Sequence, residues 1–190
     1  MAGNAGIWDG NTLRLWALDM PGLPPRLLPL PDGVDPVVAS LSPMLLAGTG
    51  HGARALPCKP LPETFRNGEA IHIPPLTQDH PHTVTRGEEV ALAGVVATAP
   101  TFDGILCVPG HESTLWAHVS AGEIISMRRF LTGAMVRAGF PQGLCLGEAE
   151  PFADTLSDTM SRPEAVALKL AAFQTDAAQG PLSPSEAASR

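Results

Sequence analysis

The apolar residues of the chain fall into short runs separated by glycine and proline, and the longest continuously patterned stretch spans residues 84–133. It opens on a polar turn, Arg86-Gly87-Glu88-Glu89. The alanine-rich segment 88–97 has the length of a helix, with both glutamates in the first turn, where the helix dipole favours carboxylates. Asp103-Gly104 then leads into the run 105–108, whose lack of alternation predicts a fully buried strand. A turn at 109–114, a strand over 115–119, the turn Ser120-Ala121-Gly122 and a strand over 123–130 extend it as an antiparallel meander. Thr132-Gly133 ends the meander at a short helical segment, 134–138.

Upstream, residues 6–8 and 13–18 read as a hairpin joined at Asp9-Gly10-Asn11-Thr12. The backbone amides and hydroxyl of that turn also suit a phosphate, although a plain β-turn is the simpler reading. Seven prolines between residues 20 and 43 predict an irregular connector. Residues 43–47 then form a buried strand running into Gly48-Thr49-Gly50-His51-Gly52, which lacks the Lys-Ser/Thr of a phosphate loop. Residues 55–82 are again rich in proline, with one strand over 70–73. His72, His80 and His82 have no carboxylate or cysteine at a ligand spacing, so no metal ligands are assigned. In the tail, Ser161-Arg162-Pro163-Glu164 reads as a capping box opening a helix with Val166, Leu170 and Phe173 on one face and Gly180 beyond its end. Ser183-Pro184-Ser185-Glu186 repeats the device with four residues left, so the sequence reads as cut short at Arg190.

Composition narrows the partners. With 44% hydrophobic residues the 190-residue chain can build a core, and a net charge of -7 with 12 Lys and Arg disfavours a nucleic-acid surface. Cys58, Cys107 and Cys145 are too scattered for a disulfide framework or a thiolate metal site, which fits a reducing cytoplasm. Neither a signal peptide nor a membrane-spanning run is evident, so a cytoplasmic location is expected.

Two readings of residues 86–89 stand on chemistry alone. In one, the glutamates only compensate the helix dipole and Arg86 pairs with one of them. In the other, Arg86 grips an anionic substrate while a carboxylate orients a hydroxyl or takes its proton.

Taken in order, WDGNTLRLWALD, LLAGTGHG, KPLPETF, RGEE, FDGILCVPG and RRFLTG resemble segments of the 2-dehydro-3-deoxygalactonokinase family of bacterial sugar-acid kinases, across nearly the whole chain. The resemblance implies an α/β protein with the ribonuclease H-like fold of actin and hexokinase. Residues 1–100 would be a shortened N-terminal lobe and 101–190 the start of a second. It implies ATP- and Mg²⁺-dependent phosphorylation of a 2-keto-3-deoxy sugar acid in carbohydrate breakdown. Arg86, Gly87, Thr132 and Gly133 would bind the substrate, and Glu88 and Glu89 would be catalytic. Asp9, Gly10, Asn11, Thr12 and Gly110 would contact phosphate or nucleotide. The expected partner is a small sugar acid, with neither nucleic acid nor membrane.

The chain also departs from the family pattern. Aligned on Leu13-Arg14, Ile7 stands where the family has aspartate. Residues 109–116 lose the family's lysine and gain Glu112, whose charge is expected to repel ATP, and Ala134 replaces a glutamate. These changes define an alternative, a non-catalytic relative that binds a sugar acid or a protein partner. An α/β interaction module with a simple helix cap at 86–89 is a third reading.

Overall fold

The computed structural model describes residues 4–9, 12–20, 22–31, 44–50, 52–62, 70–139 and 149–179. These form a mixed α/β structure of three sheets and four α-helices, divided into two compact units. The first comprises Met1–Gly110 and Thr114–Phe130, the second His111–Ser113 and Leu131–Arg190. Among the described residues no helix is long and apolar enough to cross a membrane.

The predicted N-terminal hairpin forms. Strand β1 (Asn4–Trp8) pairs antiparallel with β2 (Thr12–Ala17), from Asn4 opposite Ala17 to Trp8 opposite Leu13. On its far side β1 pairs parallel with β4 (Met44–Ala47), and β4 pairs parallel with β6 (Ala70–His72). Leu13 and Leu46 are fully buried, and Trp8, Leu15, Leu28 and Leu30 pack around them. Within the expected irregular connector lies a further strand, β3 (Arg26–Pro29), which extends β2 and gives the order β3-β2-β1-β4-β6. The prolines tolerate it because β3 is an outer strand, where a missing N–H need not cost a ladder bond. Residues 32–43 lie outside the described residues.

Besides the one strand expected over 70–73, three short strands lie in and at the ends of the proline-rich segment 55–82. Strands β5 (Arg54–Ala55), β7 (Leu76–Gln78) and β8 (Thr83–Val84) make a small sheet in the order β5-β7-β8. It adjoins the predicted meander, β9 (Gly104–Pro109), β10 (Thr114–Ser120) and β11 (Glu123–Phe130), ordered β11-β10-β9. The Gln78 side chain joins the two sheets, accepting the Met127 amide at 2.8 Å and donating to the Met127 carbonyl at 3.0 Å. Leu76, Leu115, Ala117, Val119, Ile124 and Met127 form the second core with Leu92 of helix α1 (Glu88–Thr98).

Strand β9 is not the fully buried strand its apolar run predicts. Leu106 and Val108 pack on the core, whereas Ile105 and Cys107 are exposed, because β9 is an outer strand with one covered face. Cys58 and Cys107 are free thiols, and burial pushes the Cys58 thiol above its ordinary range.

The β10–β11 turn places Ala121 at φ 50 and Gly122 at φ 77. Positive φ at both central positions suits a two-residue hairpin with right-handed strand twist, but an alanine there is strained. Ala121→Asn should therefore stabilise the protein by about 0.5–1 kcal/mol, seen as a higher urea midpoint at unchanged slope. An unchanged midpoint would show that the strain is negligible.

The second unit contains α2 (Thr132–Gly139), α3 (Ala149–Ser161) and α4 (Val166–Gln179). The capping box predicted at Ser161 does not form. Ser161 is the last residue of α3, and its hydroxyl donates back to the Ser157 carbonyl at 2.9 Å. Arg162 instead precedes a 3₁₀ turn, Pro163–Ala165, that leads into α4. Gln174 ties α4 to the end of α2 by donating to the Gly139 carbonyl at 3.1 Å. Gly180 and the second predicted cap lie outside the described residues.

Candidate functional site

Since β1, β4 and β6 run parallel, their carboxyl ends at Trp8, Ala47 and His72 share one edge of the sheet. Ligands of α/β sheets commonly bind beyond that edge. Here Gly48 (φ 87) turns the chain out of β4 so close to β1 that an added Cβ would lie 2.0 Å from the Trp8 carbonyl oxygen. Thr49 follows, its hydroxyl 3.0 Å from His72 Nδ1. On the hairpin side, Asp9 Oδ1 accepts the Thr12 amide at 2.8 Å and Oδ2 lies 3.5 Å from Arg14. The Asp9 carboxylate thus closes its own turn, as the β-turn reading expects. Gly10 and Asn11 lie outside the described residues.

The turn at residues 86–89 meets this edge. Gly87, at φ 107 and ψ -14, occupies the position before α1. An added Cβ there would lie 2.4 Å from Ile7 Cγ2, so the turn is seated on β1. Gly87 has no side chain with which to cap the helix, and the two glutamates fold back onto the amides just before it. Glu88 Oε2 accepts the Arg86 amide at 2.5 Å, and Glu89 Oε2 accepts the Gly87 amide at 3.0 Å. The Arg86 residue is exposed.

The two carboxylates sit in opposite electrostatic environments. Burial works to raise the Glu88 carboxyl, but a 2.7 Å ion pair with Arg129 and the Arg86 amide outweigh it and hold Glu88 below the usual range. Glu89 is completely buried, and among the described residues Oε1 has no hydrogen-bond partner. Burial pushes its carboxyl up, opposed by the Thr85 hydroxyl and the Gly87 amide. Thr85 is itself fixed, its oxygen accepting the Leu76 amide at 2.8 Å.

These shifts give opposite pH dependences. Glu88 contributes stability above the unfolded carboxylate value, lost as pH falls through its lowered folded value. The Glu89 contribution is fully present below the unfolded value and is lost as pH rises through its raised folded value. Glu89→Gln removes the second titration, so the melting temperature of the variant relative to wild type should rise as the pH is raised above the ordinary carboxylate value. A difference independent of pH would show that Glu89 is not shifted upward.

Sequence reasoning missed Arg129. It lies opposite Leu115, on the core-facing side of β11, and reaches both flanks of the turn, donating to Glu88 Oε1 at 2.7 Å and to the Val84 carbonyl at 2.9 Å. Alternation from Met127 points to it, but the extra residue at Ile125 breaks the two-residue period between Ile124 and Met127, so a count through the whole strand selects Arg128 instead.

Thr132 and Gly133 belong to the second unit, at the start of α2. A Cβ on Gly133 would lie 2.1 Å from the His111 carbonyl oxygen, so a glycine is required where α2 meets the 111–113 segment. The Ala134 amide donates to the Glu112 carbonyl at 2.8 Å. The Glu112 charge, expected to repel ATP, is paired with Arg137 and lies 3.7 Å from His111, so it is locally compensated. Gly110 is exposed at the end of β9.

This arrangement, a mixed sheet with a glycine turn and an Arg-Gly-Glu-Glu turn at one strand edge, has the α/β fold of a known sugar-kinase structure. The crystal structure of a Sinorhizobium meliloti protein assigned as a 2-dehydro-3-deoxygalactonokinase matches it with a TM-score of 0.73 and 18% identity, covering 98% of this chain and 75% of that one. The sequence profile of the 2-keto-3-deoxy-galactonokinase family matches residues 39–190, and the chain belongs to that family. No curated protein matches its sequence.

Proposed function

We propose that this chain is a sugar-acid kinase of its family, with the turn at residues 86–89 as the substrate-side site and a 2-keto-3-deoxy sugar acid as substrate. The observation that carries the reading is the seating of that turn on Ile7 at the carboxyl edge of parallel strands, with Arg86 exposed beside it. The strand order, with only β2 reversed against the other four strands, supports reading the first sheet as a ribonuclease H-like lobe.

Phosphoryl transfer asks the protein mainly to position a hydroxyl and stabilise charge. In this reading the Arg86 guanidinium binds the substrate carboxylate in bidentate fashion. Glu88, kept ionised by Arg129, accepts a hydrogen bond from a substrate hydroxyl and orients it, while buried Glu89 holds the Gly87 amide and so the shape of the turn. Arg129 is a positioning residue acting through Glu88 and the Val84 carbonyl. The Asp9–Thr12 turn and Gly110 are proposed on the phosphate side.

Family membership implies ATP as phosphoryl donor with a divalent cation. Among the described residues no three His, Cys, Asp or Glu side chains gather as a cation site. Asp9 is engaged by the Thr12 amide and Arg14, and Glu88 by Arg129 and the Arg86 amide. These carboxylates do not fit a metal centre. The same engagement favours a second reading, a relative that binds the sugar acid without transferring phosphate. A coupled assay with 2-keto-3-deoxygalactonate and Mg-ATP separates the two: ADP release dependent on the sugar acid supports the kinase, and its absence despite saturable binding supports the second reading.

A further inference from the structure

The last two residues of β1 each carry a turn. Gly87 is seated on the Ile7 side chain, and Gly48 passes against the Trp8 carbonyl oxygen. In the parallel register Ala47 lies opposite Ile7, so Thr49 leaves the sheet beside the strand end on which the 86–89 turn sits. His72 ends β6 on the far side of β4, opposite Leu46, and the Ile73 amide donates to the Leu46 carbonyl at 2.8 Å to hold it there. Thr49 Oγ and His72 Nδ1 are 3.0 Å apart. All of these residues belong to the first compact unit. Thr49 is half-buried, and the next residue, Gly50, is exposed at φ 77, with nothing within 4 Å of the place a Cβ would take. The turn is therefore open next to the hydroxyl.

The chemistry of the pair selects a ligand group. A threonine hydroxyl has one proton and two lone pairs, and Nδ1 of a neutral imidazole either accepts or donates. If the hydroxyl donates to Nδ1, Oγ keeps both lone pairs and has no proton left to give. If Nδ1–H donates to Oγ, a lone pair remains beside the proton. A group that donates a hydrogen bond is accepted in both states, whereas an anion, which only accepts, is served in one. The pair thus matches a hydroxyl rather than a carboxylate or a phosphate, and residues 48–52 hold no lysine or arginine that would favour an anion.

We infer that Thr49 binds a hydroxyl of the sugar acid by accepting its hydrogen bond, with His72 as a positioning residue that fixes the Thr49 side chain. The assignment rests on residues 86–89 being the substrate-side site: Arg86 takes the carboxylate end, and Thr49 takes a hydroxyl farther along the substrate. A 2-keto acid without hydroxyls leaves Oγ unpaired, so the pair gives the site a means of rejecting it.

Calorimetric titrations with 2-keto-3-deoxygalactonate and with 2-oxohexanoate, which keeps the 2-keto carboxylate and the chain length but has no hydroxyl, test the assignment. Thr49→Val should weaken the sugar acid about tenfold and leave 2-oxohexanoate unchanged, at an unchanged melting temperature, and Thr49→Ser should bind as wild type does. His72→Ala should weaken the sugar acid about threefold, and His72→Asn, whose amide reaches the place of Nδ1, should restore it. Arg86→Ala should weaken both ligands. Unchanged sugar-acid affinity in Thr49→Val, or an equal loss for both ligands, overturns the inference. Loss in Thr49→Val with none in Arg86→Ala overturns the carboxylate role of Arg86 and leaves the hydroxyl contact standing. Failure of the wild type to bind the sugar acid overturns both.

Discussion

Gly48→Ala is expected to lower the melting temperature by about 10 °C, the largest stability effect at the proposed site. Two costs combine. At φ 87 an alanine occupies the left-handed region, which disfavours L-residues by roughly 1–2 kcal/mol. Its Cβ would also fall 2.0 Å from the Trp8 carbonyl oxygen. Backbone cannot rotate away as a side chain can, so β4 must separate from β1, at a further cost of about 1–3 kcal/mol. Gly87→Ala is the instructive comparison, because the atom its Cβ would meet belongs to the Ile7 side chain. Shortening Ile7 to alanine should recover part of the Gly87→Ala loss and none of the Gly48→Ala loss, measured by thermal melts of the single and double variants. Recovery at Gly48 would contradict the packing of β4 against β1 described here.

Arg86→Ala is expected to reduce kcat/KM for the sugar acid about 100-fold, which at 1.36 kcal/mol per tenfold corresponds to the loss of one charge-assisted bidentate contact. Stability should hardly change, since the Arg86 bond that shapes the turn is made by its backbone amide to Glu88 and the residue is exposed. Arg86→Lys should restore only part of the activity, because an ammonium keeps the charge but loses the planar fork. The converse pattern, a destabilised protein with normal kcat/KM, would make Arg86 a structural residue of the turn.

The chain shows which features sequence alone makes legible. The β1–β2 hairpin and helix α1 were readable because their signals are local: a short Asp-Gly-Asn-Thr turn between apolar runs, and a helix-length alanine-rich segment behind two glutamates. The meander was readable for the same reason. Burial was less so, since an uninterrupted apolar run cannot distinguish a strand covered on both faces from an outer strand such as β9. Ser161 misled because its capping signal competes with a helix already running through it, and the backward bond to Ser157 wins.

At the site, the sequence marked the turn but not what holds it. Arg129 lies 41 positions from Glu88, and only the pairing of β10 with β11 turns it toward the glutamate. The seating of Gly87 on Ile7 likewise depends on bringing residues 80 positions apart together, which no local pattern encodes.

The substrate role of the turn is tested most directly by calorimetric titration of 2-keto-3-deoxygalactonate into wild-type protein and Arg86→Ala, with melting temperatures recorded for both. Saturable one-to-one binding by wild type, weakened about 100-fold in the variant at equal melting temperature, is the predicted result. Equal affinity in the two proteins would contradict it.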